Sequence, residues 1–148
     1  MLNVESYRLI GYENRILNQE DFEDDEKDAG EIGANQNITA LYEIVPSDNP
    51  NQNDTTFSIN LRYKLPDSDS SIPIELEIFD HGNSFDDSSD FMKFTAGVAS
   101  FSMLIRNSEY MGTTSYNKIL NWTTNLCLPD EYNFKSEFRD IVERSSGI

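Results

Sequence analysis

The chain has 148 residues, 27 acidic against 11 basic, for a net charge of −16. That length suits one domain able to bury a core without disulfide or metal staples, and a single cysteine, Cys127, excludes an internal disulfide framework. Such negative charge excludes binding that depends on neutralising phosphates, so neither nucleic acid nor an anionic membrane surface is an expected partner. The N-terminus lacks a signal peptide's basic region and apolar run, and no stretch is apolar enough to insert into a bilayer, so the fragment is expected to be soluble.

In chain order, residues 4–12 read as an extended segment carrying Val4, Tyr7, Leu9, Ile10 and Tyr12. A dense acidic block follows over 18–36, with Gly30 and Gly33 as breakers. ITALYEIV at 38–45 reads as a second strand, and PSDNPNQND at 46–54 as a polar loop. Phe57, Ile59, Leu61 and Tyr63 alternate with Ser58, Asn60, Arg62 and Lys64; Ile72, Ile74, Leu76 and Ile78 alternate with Pro73, Glu75, Glu77 and Phe79. Successive side chains of a strand point to opposite faces, so each segment has one apolar and one mostly wet face. The turn-forming link LPDSDSS predicts an antiparallel pair with its apolar face covered.

The second half changes period. Ser89 or Asp90 can cap a helix over about 91–106, with Phe91, Phe94, Val98, Phe101 and Ile105 on one stripe. The opposite side is small (Thr95, Ala96, Gly97, Ala99, Ser100, Ser102), which predicts a helix buried nearly all round. A short helix is expected after Thr114 or Ser115, through Tyr116, Ile119, Leu120 and Trp122. A last helix over about 131–144 carries Phe134, Phe138, Ile141 and Val142. Strands first and helices second indicate an α+β fold over 1–148: an antiparallel sheet, open or sandwich-like, packed against a buried helix and two further helices.

Four features invite a chemical reading. The acidic block fails as an EF-hand: with Gly30 at the glycine position the ligands fall on Asp25, Lys27, Ala29 and Gln36, and with Gly33 they fall on Asp28, Gly30 and Ile32. A looser divalent-cation site from Asp24, Asp25, Asp28 and Glu31 is the alternative to an interaction surface that also includes Glu20, Asp21, Glu23 and Glu26. Asp67-Ser68-Asp69-Ser70-Ser71 is close to the D-x-S-x-S metal-ion-dependent adhesion motif but has Asp69 in place of serine and follows a one-sided strand, so it reads as a hairpin loop. His81, near Asp80, Asp86 and Asp87, reads as a surface residue rather than a general base. Cys127, between Leu126 and Leu128, reads as a buried small hydrophobe. No nucleophile–base pairing and no phosphate loop is legible, so no catalytic residue and no cofactor is expected.

Several stretches together carry a resemblance. They are YRLIGYENR at 7–15, the acidic pattern ending DAGEIGA at 34, TALYEIVP at 39–46, and LRYK with Pro66. They continue with Asp90-Phe91, Phe94, Ala96, Val98-Ala99, Phe101, Met103-Leu104, Arg106 and Ser108, then Tyr110, Gly112 and Ser115-Tyr116. In this order, over about residues 4–145, the chain resembles the C-terminal region of bacterial proteins built around a von Willebrand factor A (VWA) domain. The resemblance implies an accessory or protein-interaction domain without catalysis. Its partners would be the VWA domain of the same polypeptide and a further protein, in an envelope protein whose signal and VWA segments precede this piece. That family's metal site belongs to the VWA domain, so no functional residue carries over. The opening strand and the acidic block then read as an ordered connection to the 38–45 strand, with Gly30 and Gly33 making the turn.

Overall fold

The computed structural model describes residues 3–11, 22, 24, 26, 30, 32–48 and 54–147. The chain divides into two compact units, Met1–Gly82 and Asn83–Ile148. The first holds strands and the second helices, in keeping with the α+β class.

In the first unit, β1 (Val4–Ile10) pairs antiparallel with β2 (Leu41–Pro46). The register slips between Val4 and Ser6, so Glu5 is the extra residue of a bulge. Arg8 faces Glu43 in this register and the two form an ion pair, which, being exposed, adds little stability. β2 begins three residues later than its β-branched run suggests: Ile38, Thr39 and Ala40 lie outside the ladder and are exposed.

β3 (Phe57–Tyr63) and β4 (Ile72–Ile78) form a second antiparallel ribbon, joined by a loop over 64–71. Here the period-2 reading holds residue by residue. The pairs Phe57–Ile78, Ile59–Leu76, Leu61–Ile74 and Tyr63–Ile72 lie directly opposite one another, and so share one face. Ser58–Glu77, Asn60–Glu75 and Arg62–Pro73 make the other. The expectation of a covered apolar face is not met. Ile59, Leu61, Tyr63, Ile72, Ile74 and Leu76 remain 39–55% exposed. Alternation fixes which side chains share a face, but it carries no information about what lies against that face.

In the second unit a short 3₁₀ turn (Phe85–Asp87) precedes α1 (Asp90–Ile105). Ser89 caps α1: its side chain accepts from the Met92 amide at 3.2 Å. Ser115 does the same for α2 (Tyr116–Thr123), accepting from Lys118 at 3.3 Å. α3 (Phe134–Ser145) starts differently. Its N-cap position, Asn133, is left-handed and gives no side-chain bond, and the capping oxygens come from Asp130. That carboxylate accepts from the amides of Lys135 (2.9 Å) and Ser136 (3.0 Å) and from the Ser136 hydroxyl (2.6 Å).

The helices pack on a small core in which Ile119 and Val142 are fully buried. Phe138 sits edge-on to both Phe94 and Phe101, at 5.5 and 5.6 Å between ring centroids, and Phe85 packs on Trp122 at 4.8 Å. Two expectations are corrected here. α1 is not buried all round: Phe94, Gly97, Ser100 and Phe101 turn inward, whereas Phe91, Met92, Val98 and Ile105 are exposed. The reason is the glycine. A Cβ built on Gly97 would lie 2.6 Å from Thr123 Cγ2, so α2 lies in a groove that only glycine leaves open, and α1 turns its small-residue side to its neighbour. On α3 the inward pair is Phe138 and Val142, four residues apart, whereas Phe134 and Ile141 are exposed and Phe134 lies against Tyr132.

Candidate functional site

The acidic candidates fall mostly outside the described residues. Glu20, Asp21, Glu23, Asp25, Asp28 and Glu31 do so; Asp24 and Glu26 are described and exposed. The Glu26 amide donates to Asp24 Oδ1 at 2.9 Å, a local turn in which an aspartate stands in for a backbone carbonyl. Among the described residues no group of three or more His, Cys, Asp or Glu side chains is arranged to hold a metal ion. The end of the block is an ordered turn. The Gln36 amide donates to Gly33 O at 3.1 Å, and Gln36 Oε1 accepts from the Gly33 amide at 2.9 Å. The left-handed residue is Asn35 (φ 61°), not a glycine; asparagine tolerates that region, and a positive φ is what the third position of a type II turn requires.

The aspartate–serine run is the β3–β4 hairpin loop. Asp67 is left-handed, the Ser68 amide donates to Leu65 O at 3.1 Å, and Ser68 Oγ donates to Ser70 O at 3.0 Å. Ser71 Oγ accepts from Arg62 Nε at 2.9 Å, which ties the loop to β3. The Ser68 and Ser71 hydroxyls are thus used within the hairpin.

His81 is exposed. Its neighbour Asp80 closes the end of the ribbon: the Asp80 amide donates to Thr56 Oγ1 and its carboxylate accepts from the Gly82 amide, both at 2.8 Å. Gly82 has φ +69°, so the turn uses glycine's freedom there. Asp86 and Asp87 are exposed on the 3₁₀ turn, where Asp87 accepts from Ser84 Oγ at 2.7 Å.

Cys127 overturns its expectation: the thiol is exposed. In the irregular segment between α2 and α3, Leu126 and Leu128 are half-buried and the residue between them is exposed. Its amide is anchored, donating to Asp90 Oδ2 at 2.7 Å at the start of α1.

The surface that the sequence did not single out as a site is the apolar face of β3–β4. It is continuous across both strands and carries no charge, in a chain that is 26% charged. The signal was present in the alternation itself; its meaning depended on exposure. A surface of this kind makes no bonds and breaks none. It can only exclude water against a complementary apolar surface. Among the described residues no helix is long and apolar enough to cross a membrane.

Comparison with known proteins places the chain. Residues 2–148 match the family model described as "Uncharacterized protein YfbK, C-terminal". A relative, the "Uncharacterized protein YfbK" of Escherichia coli (strain K12), is 32% identical over 162 aligned positions, which take in 98% of this chain and 28% of that relative. The chain therefore spans under a third of the curated relative that it matches. No solved structure matches. The fold reported above thus stands beside a match that is nearly end to end, and the chain belongs to the YfbK C-terminal domain family.

Proposed function

We propose that this chain is a non-catalytic accessory domain that makes protein contacts, lying C-terminal to a VWA domain in a bacterial envelope protein. The observation that carries the reading is the β3–β4 face, where six paired apolar side chains stay 39–55% exposed. Contiguous apolar surface of this kind marks a contact site, and a face without a groove or a polar group to act on a substrate suits a protein partner. Two further points support it. The family description places the domain at a C-terminus, and most of the relative's length lies outside the match. The motif resemblance runs from YRLIGYENR to Ser115-Tyr116 and is to the region that follows a VWA domain.

An accessory domain acts by holding a neighbour or recruiting a partner, so its loss should alter binding or stability elsewhere in the polypeptide. The test compares the full-length polypeptide with and without this domain, reading partner capture and the thermal midpoint of the VWA domain. A drop in either is the expected result. Identical capture and an identical midpoint would refute the proposal.

A further inference from the structure

We propose that the apolar face of the β3–β4 ribbon is the seat on which the upstream part of the same polypeptide docks, an inference that rests on the accessory-domain reading. The face is built from Ile59, Leu61 and Tyr63 on one strand and Ile72, Ile74 and Leu76 on the other, in direct register. A two-stranded ribbon is marginal by itself in water and gains its stability from what packs against it. Six of the eight side chains on its apolar side are exposed, and the Phe57–Ile78 pair at one end is half-buried.

The size of the face selects the kind of occupant. A large apolar side chain carries on the order of 150–200 Å², so six at about half exposure leave on the order of 500 Å² open. That lies at the upper end of what a monomer normally shows. It falls short of the roughly 800 Å² per partner that a free protein needs for a stable complex. A neighbour on the same polypeptide needs less. Tethering supplies an effective concentration of about millimolar, and interfaces between domains of one chain start at about 600 Å² in total.

Charge and length point the same way. A second copy would bring one −16 surface against another, a repulsion that so small an apolar face is poorly placed to overcome. An upstream partner need not share the charge of this domain, as a second copy must. In the Escherichia coli relative the matched part is 28% of the length, which leaves a large partner available to a domain described as C-terminal. The docking surface on that partner is expected to be apolar at its centre and neutral or basic at its rim, to suit an acidic domain.

The experiment has two arms. In the first, hydroxyl-radical footprinting reads the modification rates of Leu61, Tyr63 and Leu76 in the 148-residue chain and in the full-length polypeptide. The expected result is ready modification in the short chain and at least fivefold protection in the long one. Equal modification in both overturns the proposal. So does protection already present in the short chain: independent of concentration, it means that the cover lies within these 148 residues, and rising with concentration, it means that a second copy is the occupant.

In the second arm the tether is kept, and small-angle X-ray scattering of the full-length polypeptide, with and without the double change Leu61→Ser and Leu76→Ser, reads whether this domain lies against the upstream part. Circular dichroism of the short chain carrying both changes controls for folding. A compact parent and an extended double variant support the proposal. Compact profiles for both keep the accessory-domain reading and overturn the choice of face. Extended profiles for both overturn the docking proposal, whereas the accessory-domain reading falls only if partner capture and the thermal midpoint are also unchanged without this domain.

Discussion

Gly97→Ala isolates the contact that sets the packing of the helical unit. Alanine at this mid-helix position raises intrinsic helix stability by about 1 kcal/mol. Against this, the new Cβ would lie 2.6 Å from Thr123 Cγ2, about 1 Å inside a normal carbon–carbon contact, and 3.7 Å from Ile119 Cγ2. Thr123 cannot swing aside cheaply. It is 3% exposed, and its hydroxyl donates to Ile119 O at 2.9 Å, which fixes its rotamer. Overpacking of this kind costs about 1–3 kcal/mol, so the clash outweighs the propensity gain and the net loss is about 1 kcal/mol.

The partner change Thr123→Ser removes the obstructing methyl but keeps the hydroxyl that donates to Ile119. Alone it costs about 1 kcal/mol for the lost buried methyl. Combined with Gly97→Ala, it removes the clash, so the double variant should be more stable than the sum of the single changes allows, by about 1 kcal/mol or more. Urea unfolding followed by Trp122 fluorescence reads this directly. Trp122 is the single tryptophan, lies on α2 beside Thr123 and packs on Phe85. Gly97→Ala at or above parental stability, or strictly additive effects, would refute the packing derived for α1 and α2.

Three further outcomes are expected. The Ser136 hydroxyl, the amides of Lys135 and Ser136 and the nearby Lys135 charge hold the Asp130 carboxyl below its ordinary value of 3.8, against the opposing effect of desolvation. A carboxylate with a lowered folded-state value stabilises fully above the unfolded value and loses that contribution as pH falls through the folded one. The difference in urea midpoint between the parent and Asp130→Asn should therefore be widest near neutral pH and narrow below about pH 3.8; a constant difference would contradict the capping role. Ser89→Ala removes the α1 cap and should cost about 1 kcal/mol by the same fluorescence assay, and a change near zero would contradict it. Cys127 should react to one equivalent with a thiol reagent in the native protein, without a change in its unfolding midpoint; labelling seen only in denaturant would contradict its exposure.

What could be read from the sequence was local. The alternation in residues 57–63 and 72–78 gave the antiparallel ribbon and its two faces, because side-chain period and hairpin pairing are short-range consequences of backbone geometry. Ser89 and Ser115 announced their helices because a cap acts within three residues. What escaped the reading depended on groups further away in the chain. Apart from Lys93, residues 91–105 are apolar or small on every side, so the close approach of Thr123 decides that the face with Gly97 turns inward. The cap of α3 comes from Asp130, four residues before the helix begins, across a left-handed Asn133 that no local rule requires. Cys127 looked buried by its neighbours' hydrophobicity, whereas only Leu126 and Leu128 are half-buried and the thiol between them is exposed. For the acidic candidates, spacing alone excluded the EF-hand, and most of them lie outside the described residues. The apolar face was legible as a face and not as a site, since exposure is a property of the whole fold.

The most direct test of the account is the modification rate of Leu61 and Leu76 in the full-length polypeptide relative to the 148-residue chain. Both side chains are more than half exposed here, at 55% and 54%. A fall of fivefold or more in the long polypeptide is the result expected of a seat for the upstream part. Equal rates in the two would show that the face meets no part of its own polypeptide, and would contradict the claim.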